Sequence, residues 1–157
     1  MEHAASMNSA ADRQTRFRHL LEAHRGIMVK VAHSYAWQRD DRADLAQDIA
    51  TQLWRAFPRY DGSRPFATWM YRIALNVAIS NVRARQRDAV TVPLDDRLDE
   101  HIDHDAIDPV VRQQVAALHR FIHRQAPLDR ALLLLYLEDR PHAEIAEILG
   151  ISANGQP

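Results

Sequence analysis

Apolar residues recur every three or four positions through the first half of the chain: Phe17, Leu20, Leu21, Ile27 and Val31, then Leu45, Ile49, Leu53 and Phe57, then Phe66, Trp69, Ile73 and Val77. This spacing lines one side of an α-helix and predicts three helices, each with one apolar face. Between the second and third, residues 58–65 (PRYDGSRP) supply the turn residues Asp61 and Gly62, with Ser63 placed as an N-cap and Pro65 in the first turn of the helix that follows. Beyond Pro109 the same spacing returns in Val111, Val115, Leu118 and Ile122. Leu132–Leu137 and Ile145–Leu149 add two shorter helical pieces. Strand-like alternation is almost absent: Val90–Leu94 is brief, contains Pro93 and reads as linker. The expected fold class is all-α.

Composition narrows the picture. The chain has 157 residues, 46% hydrophobic and 26% charged, with a net charge of -1, as in an ordinary soluble globular protein of one domain or two small helical units. Cysteine is absent, which excludes disulfides, thiolate nucleophiles and Cys-based zinc sites. The 4 glycines form neither a GxGxxG nor a Walker spacing, so no phosphate-binding loop is expected. The longest apolar run, Ala131–Leu137, falls far short of the roughly 18 residues that span a bilayer, and the N-terminus has no apolar signal region. A cytoplasmic protein without membrane contact is the expectation.

The order of the charges says more than their sum. Residues 55–87 hold seven Arg against the single acid Asp61, a local charge of +6, whereas residues 88–108 hold eight acids against Arg97, a local charge of -7. A basic block of this kind points to a polyanion. The acidic stretch, bounded by Pro93 and Pro109, has linker chemistry and separates units at 13–88 and 110–157, with the linker at 89–109.

Two polar helix faces carry the candidate chemistry. On the helix from about residue 42 to 57, Asp44, Gln47, Asp48, Thr51 and Arg55 share a stripe beside Ile49 and Trp54, either a solvated face or a partner surface. On the next helix Arg72, Asn76, Ser80, Arg83 and Arg87 make a continuous stripe. Arginine forks onto phosphate and asparagine presents both donor and acceptor to a base edge. Tyr60, Phe66, Trp69 and Tyr71 lie around it, and aromatics beside cations suit unstacked bases. Periodicity alone leaves open an alternative in which Phe66 and Trp69 are core and the arginines only solubilise. His119 and His123 stand at i, i+4 without an HExxH motif and read as surface histidines; His101, Asp103, His104 and Asp105 read as a solvated cluster. No catalytic residue, metal site or cofactor is expected, and the chain does not read as an enzyme. Near the end, HAEIAEILGIS (residues 142–152) has the pattern of the first helix and turn of a helix-turn-helix, with Ala146 at a close approach and Gly150 in the turn.

Taken in order, these blocks resemble a bacterial RNA polymerase sigma factor of the extracytoplasmic-function type over about residues 16–152. DRADLAQDIATQLWRAF resembles the family's polymerase-binding helix, RYDGSRPFATWMYRIALNVAISNVRARQR its −10 loop and helix, and LDRALLLLYLEDRPHAEIAEILGIS the start of its −35-binding domain. The resemblance implies sigma region 2 at 13–88 and a partial region 4 at 110–157. It implies that Asp44, Gln47, Asp48 and Thr51, with Leu45 and Trp54 beside them, dock on the β′ clamp helices of core RNA polymerase. Asn76 would read a −10 base and Ser80 would serve as a second polar reader. Tyr60 with the loop to Arg64 would capture a flipped base, and Arg72, Arg83 and Arg87 would hold promoter DNA. The acidic stretch from Asp95 to Asp108 would be the inter-domain linker that occupies the RNA exit path. An anti-sigma factor or other regulator is a further implied partner. In the family a basic recognition helix follows the position of Ser152, where this sequence continues only as Ala153, Asn154, Gly155, Gln156 and Pro157. The C-terminal unit is therefore expected to leave Ile145, Ile148 and Leu149 poorly covered and to be loosened or repacked. A truncated sigma that binds polymerase or an anti-sigma factor without full −35-dependent initiation is the alternative function.

Overall fold

A computed structural model describes residues 2–88 and 108–150. Among the described residues the secondary structure is helical: α1 (Glu2–Ala23), α2 (Arg25–Tyr35), α3 (Arg39–Ala56), α4 (Phe66–Asp88), α5 (Pro109–Arg124), α6 (Pro127–Leu137) and α7 (His142–Leu149), with one 3₁₀ turn at Phe57–Arg59. The acidic segment before Asp108, including Val90–Leu94 and the His101–Asp105 cluster, and the residues after Gly150 lie outside the described residues.

The expected first helix is in fact two. The chain breaks at His24 (φ -114, ψ 19), whose Nδ1 meets the Leu20 carbonyl at 2.9 Å. The apolar stripe stays in register across the break because Leu20 and Ile27 are seven residues apart, so periodicity alone runs through it. The turn from α2 to α3 is tied by Arg42, a buried cation that donates from Nε to the Ala36 carbonyl (3.0 Å) and from Nη2 to the Trp37 carbonyl (2.6 Å). These bonds satisfy carbonyls that a helix end leaves without partners. Pro58 cannot continue α3 as an α-helix, and the 3₁₀ turn ends it. Ser63 does not cap α4. Its backbone N–H donates to Asp61 Oδ1 (2.9 Å) in an Asx turn, Gly62 takes the left-handed conformation (φ 77), and the Pro65 carbonyl accepts the first helical bond from the Trp69 N–H (3.2 Å).

α2, α3 and α4 pack on one another, and the helices after the linker close over them: α5 lies on α2, α6 on α2 and α4, and α7 on α4. Ala131, Leu134, Leu135, Ile145 and Ile148 join one apolar core with Val31, Leu45, Leu53, Met70, Tyr71 and Leu75. This corrects the expectation of poor cover in the C-terminal unit. Ile145 and Ile148 are 6% and 2% exposed, because α4 and α6 supply the apolar faces against which α7 packs. Polar bonds hem the contact. Tyr35 donates to the Pro127 carbonyl (2.7 Å), Arg130 Nη1 to the Ser34 carbonyl (3.1 Å), and Thr68 to Glu144 Oε1 (3.0 Å). The Tyr71 hydroxyl donates to Glu138, which also pairs with Lys30.

His119 and His123 are not surface residues as expected but half-buried at this contact. His123 Nε2 meets the His33 carbonyl at 2.9 Å and its ring lies edge-on to Trp37, with centroids 4.7 Å apart. At the end of α7 Gly150 adopts the left-handed conformation (φ 67), where a side chain would be strained. Leu135, completely buried in the shared core, tests the packing: Leu135→Ala should lower stability by about 2–5 kcal/mol. Urea denaturation followed by circular dichroism reads this loss, and a change below about 1 kcal/mol would show that α6 adds little to the core.

Candidate nucleic-acid and polymerase interface

α4 separates its faces cleanly. Phe66, Met70, Tyr71, Ala74, Leu75, Ala78 and Val82 are buried, whereas Arg72, Asn76, Ser80, Arg83 and Arg87 are all exposed along the opposite side. One α-helix therefore holds three guanidinium groups, an amide and a hydroxyl in a row facing solvent. Arg85, which belongs to the same basic block, is engaged elsewhere: its two terminal nitrogens bind both oxygens of Asp41, at 3.0 and 2.9 Å. This fork pins the last turns of α4 to the first turn of α3. The contact holds the Arg85 guanidinium charged, its pKa raised first by the hydrogen bond to Asp41.

Of the aromatic residues beside the stripe, Phe66 and Tyr71 are core, so neither is available to stack on a base. Both fall on the buried side of α4, a distinction that composition could not make. Tyr60 and Trp69 are only partly buried and lie 5.1 Å apart between ring centroids. The Tyr60 hydroxyl donates to the Arg64 carbonyl (3.0 Å), which closes the 60–64 loop on itself. Hydrogen bonds from the Ser63 side chain and backbone hold the exposed Asp61 carboxyl below its usual range. Arg64 reaches out of this loop to Glu147 of α7 (2.8 Å), both side chains being partly exposed.

On α3, Asp44, Gln47 and Asp48 are exposed and Thr51 is half-buried, its hydroxyl turned back to the Gln47 carbonyl (2.9 Å). Trp54 is 41% exposed, an indole at the surface, with Phe17 tilted against it at 5.1 Å. Leu45 departs from the expected face. It is 1% exposed and sits in the core beneath the stripe, so it supports the face without meeting a partner. Its apolar spacing with Ile49 and Leu53 predicts that core position, and only the resemblance set it beside the docking face. Asp48, Thr51, Gln52 and Arg55 of α3 and Asn76, Ser80 and Asn81 of α4 line one groove of about 750 Å³. The two polar faces, read separately along the sequence, thus meet in one depression. Gln52 and Asn81 were missed by sequence reasoning because neither lies on the stripe drawn for its own helix.

The described residues bring no three His, Cys, Asp or Glu side chains together in a way that could hold a metal, and no helix among them is long and apolar enough to cross a membrane. The Sigma-70 region 2 family model matches residues 20–88, and the Sigma-70 region 4 model matches residues 116–155. RNA polymerase sigma factor NccH of Alcaligenes xylosoxydans xylosoxydans is 25% identical over 158 residues, covering 98% of this chain and 85% of that protein. RNA polymerase sigma factor CnrH of Cupriavidus metallidurans is 32% identical over 68 residues, covering 43% of this chain and 36% of that one. RNA polymerase sigma-H factor of Pseudomonas aeruginosa is 34% identical over 62 residues, 40% of this chain and 30% of that one. A solved structure of CnrH in complex with the cytosolic domain of CnrY superimposes with a TM-score of 0.63 at 21% identity, over 94% of this chain and 82% of that one, and shows the same fold. With helical units of region 2 and region 4 joined in order, the class is a non-enzymatic, DNA-binding transcription initiation factor. The chain belongs to the sigma-70 family, as a sigma factor of the extracytoplasmic-function type.

Proposed function

We propose that the exposed side of α3 (Asp44, Gln47, Asp48, Thr51 and Trp54) docks on the β′ clamp helices of core RNA polymerase, while α4 and the 60–64 loop hold and read the unpaired −10 strand. The observation that carries this reading is the α4 stripe. Arg72, Asn76, Ser80, Arg83 and Arg87 are exposed together on the side opposite a fully packed core face. In this reading the arginines meet phosphates, Asn76 reads a base edge with Ser80 beside it, and Tyr60 and Arg64 receive an extruded base. Extrusion costs a few kcal/mol of lost stacking, offset by contacts to the base's face and edge. The initiation domains are 13–88 and 110–157, joined by the acidic stretch. A protein regulator of the anti-sigma kind is a further partner in this reading, supported by the CnrH structure solved with the cytosolic domain of CnrY.

Two substitutions divide the labour on α4. Asn76→Ala should relax base preference at one −10 position by about 1–3 kcal/mol of discrimination. Arg83→Ala should weaken all sequences alike and lower the salt slope by about 0.7–0.9. Competition binding of promoter variants at several salt concentrations reads both effects. Equal losses from both variants on every sequence would contradict the division.

A further inference from the structure

A second pocket lies between α1 and the 3₁₀ turn that ends α3. Ser9, Asp12, Arg13 and Arg16 of α1 face Phe57, Pro58 and Tyr60 across about 260 Å³. The four α1 residues fall on one side of the helix, at spacings of three, one and three. The floor is aromatic. The rings of Phe57 and Tyr60 are stacked, with centroids 6.1 Å apart and planes 21° from parallel. Tyr60 is held in place by Trp69 (5.1 Å) and by the edge of Phe66 (5.5 Å). The Arg16 guanidinium lies 5.8 Å from the Phe57 centroid, the arrangement of a cation over an aromatic face. Arg13 and Arg16 are both exposed, and among the described residues neither is committed to an ion pair.

We propose that this pocket takes one unpaired nucleotide of a DNA strand, next to the position held by the 60–64 loop, with Arg13 and Arg16 on its phosphates and its base over the exposed Pro58 ring beside Tyr60. The size suits a single nucleotide and not a duplex. Paired guanidinium groups at the rim match phosphate geometry, and an aromatic floor suits a base whatever its identity. Ser9 and Asp12 add a hydroxyl and a carboxylate acceptor, which favour bases that carry an exocyclic amine and keep the site from being a bare anion sink. The strand path of the initiation domain then continues from α4 across the loop onto α1, a helix that no sequence motif marks. This inference rests on the −10 strand reading above.

The test is fluorescence anisotropy of the full chain with a labelled single-stranded DNA of about 12 nucleotides and randomised sequence, across about 50–200 mM salt. Wild type is compared with Arg13→Ala, Arg16→Ala, Arg16→Lys and Asn76→Ala. Arg13→Ala and Arg16→Ala are each expected to weaken single-strand binding about three- to tenfold and to lower the salt slope by about 0.7. Arg16→Lys should keep the slope but lose part of the affinity, because lysine retains the charge without the planar fork. Circular dichroism melting controls for folding, and Arg13, exposed and outside the core, keeps the test valid if Arg16→Ala disturbs Phe57. If Asn76→Ala weakens binding and neither arginine variant does, the α1 pocket is overturned while the α4 reading stands. Absence of binding by wild type overturns both.

Discussion

Asp48→Arg is expected to reduce capture of core RNA polymerase about tenfold or more. Asp48 is exposed on α3, beside Asp44 and Gln47, and among the described residues no ion pair holds it, so a change there tests the proposed docking face. Reversing a charge at a complementary interface replaces attraction by repulsion, a change that double-mutant cycles place at several kcal/mol for close pairs. Because Asp48 lies at the surface, the fold should tolerate the change, and urea midpoints should agree with wild type. Asp40→Arg supplies the control. Asp40 is exposed in the first turn of the same helix but outside the proposed face, and it alters net charge equally. Bead capture of purified core enzyme by the tagged chain, titrated to give apparent Kd, should show Asp40→Arg within about twofold of wild type. Equal losses in both variants would indicate nonspecific charge attraction and remove α3 as the docking face.

Lowering the pH from 7.5 to 5 is expected to weaken the closure of α5–α7 onto α2–α4 about thirtyfold, through His123. Burial, the largest cause, pushes the His123 imidazole down from 6.5 to about 4, only partly offset by its hydrogen bond to the His33 carbonyl. Arg130, His119 and Arg42 add cationic repulsion, Trp37 presents a ring edge, and no carboxylate stands among its electrostatic partners. Burial and Arg42 lower His119 as well. The closed state thus binds fewer protons than the open one between these values, so closure is complete above pH 6.5 and lost about tenfold per unit down to about 4. Glu138 acts in a lower window: its carboxyl is held below 4.5 by Lys30 and Tyr71, against the opposing effect of burial, so its contribution fades only as pH falls through that depressed value. Tyr35 and Tyr71, raised chiefly by burial, hold their protons and lose them only in strong alkali. Distance measurement between labels on α3 and α6 across this pH range reads the opening. His123→Leu, which cannot titrate, should flatten the change between pH 6.5 and 5, and an unaltered profile in that variant would assign the opening elsewhere.

Much of the initiation domain was legible because its helices are two-faced. Leu45, Ile49 and Leu53 place the α3 stripe outward. On α4 the polar row was legible but its core face was not: of the expected apolar positions only Phe66 is buried, Trp69, Ile73 and Val77 are half-buried, and Met70, Tyr71, Ala74, Leu75 and Ala78 fill the core. The turn at Asp61–Gly62 was marked by its residues, although its hydrogen bonding assigned the cap differently: Asp61 accepts from Ser63, and the Pro65 carbonyl opens the helix. The closure of the second unit was not legible. Leu135, Ile145 and Ile148 show the same helical spacing whether they pack on their own unit or on α4, because local periodicity fixes a face but not the partner it meets. The histidines escape for a related reason: an i, i+4 pair looks alike at a surface and at a contact with a distant part of the chain, where His119 meets the ring of His33 and His123 the His33 carbonyl. Phe66 and Tyr71, grouped with stacking aromatics by proximity along the chain, turn inward because the apolar stripe of α4 claims them.

The most direct measurement is selection of promoter DNA from a randomised −10 library by core polymerase loaded with this chain. Sequencing of the bound fraction should reveal a block of preferred bases that core enzyme alone does not select, and Asn76→Ala should erase the preference at one position while leaving the rest of the block. Recovery of the same unselected pool with and without the chain would contradict a −10-reading role for α4.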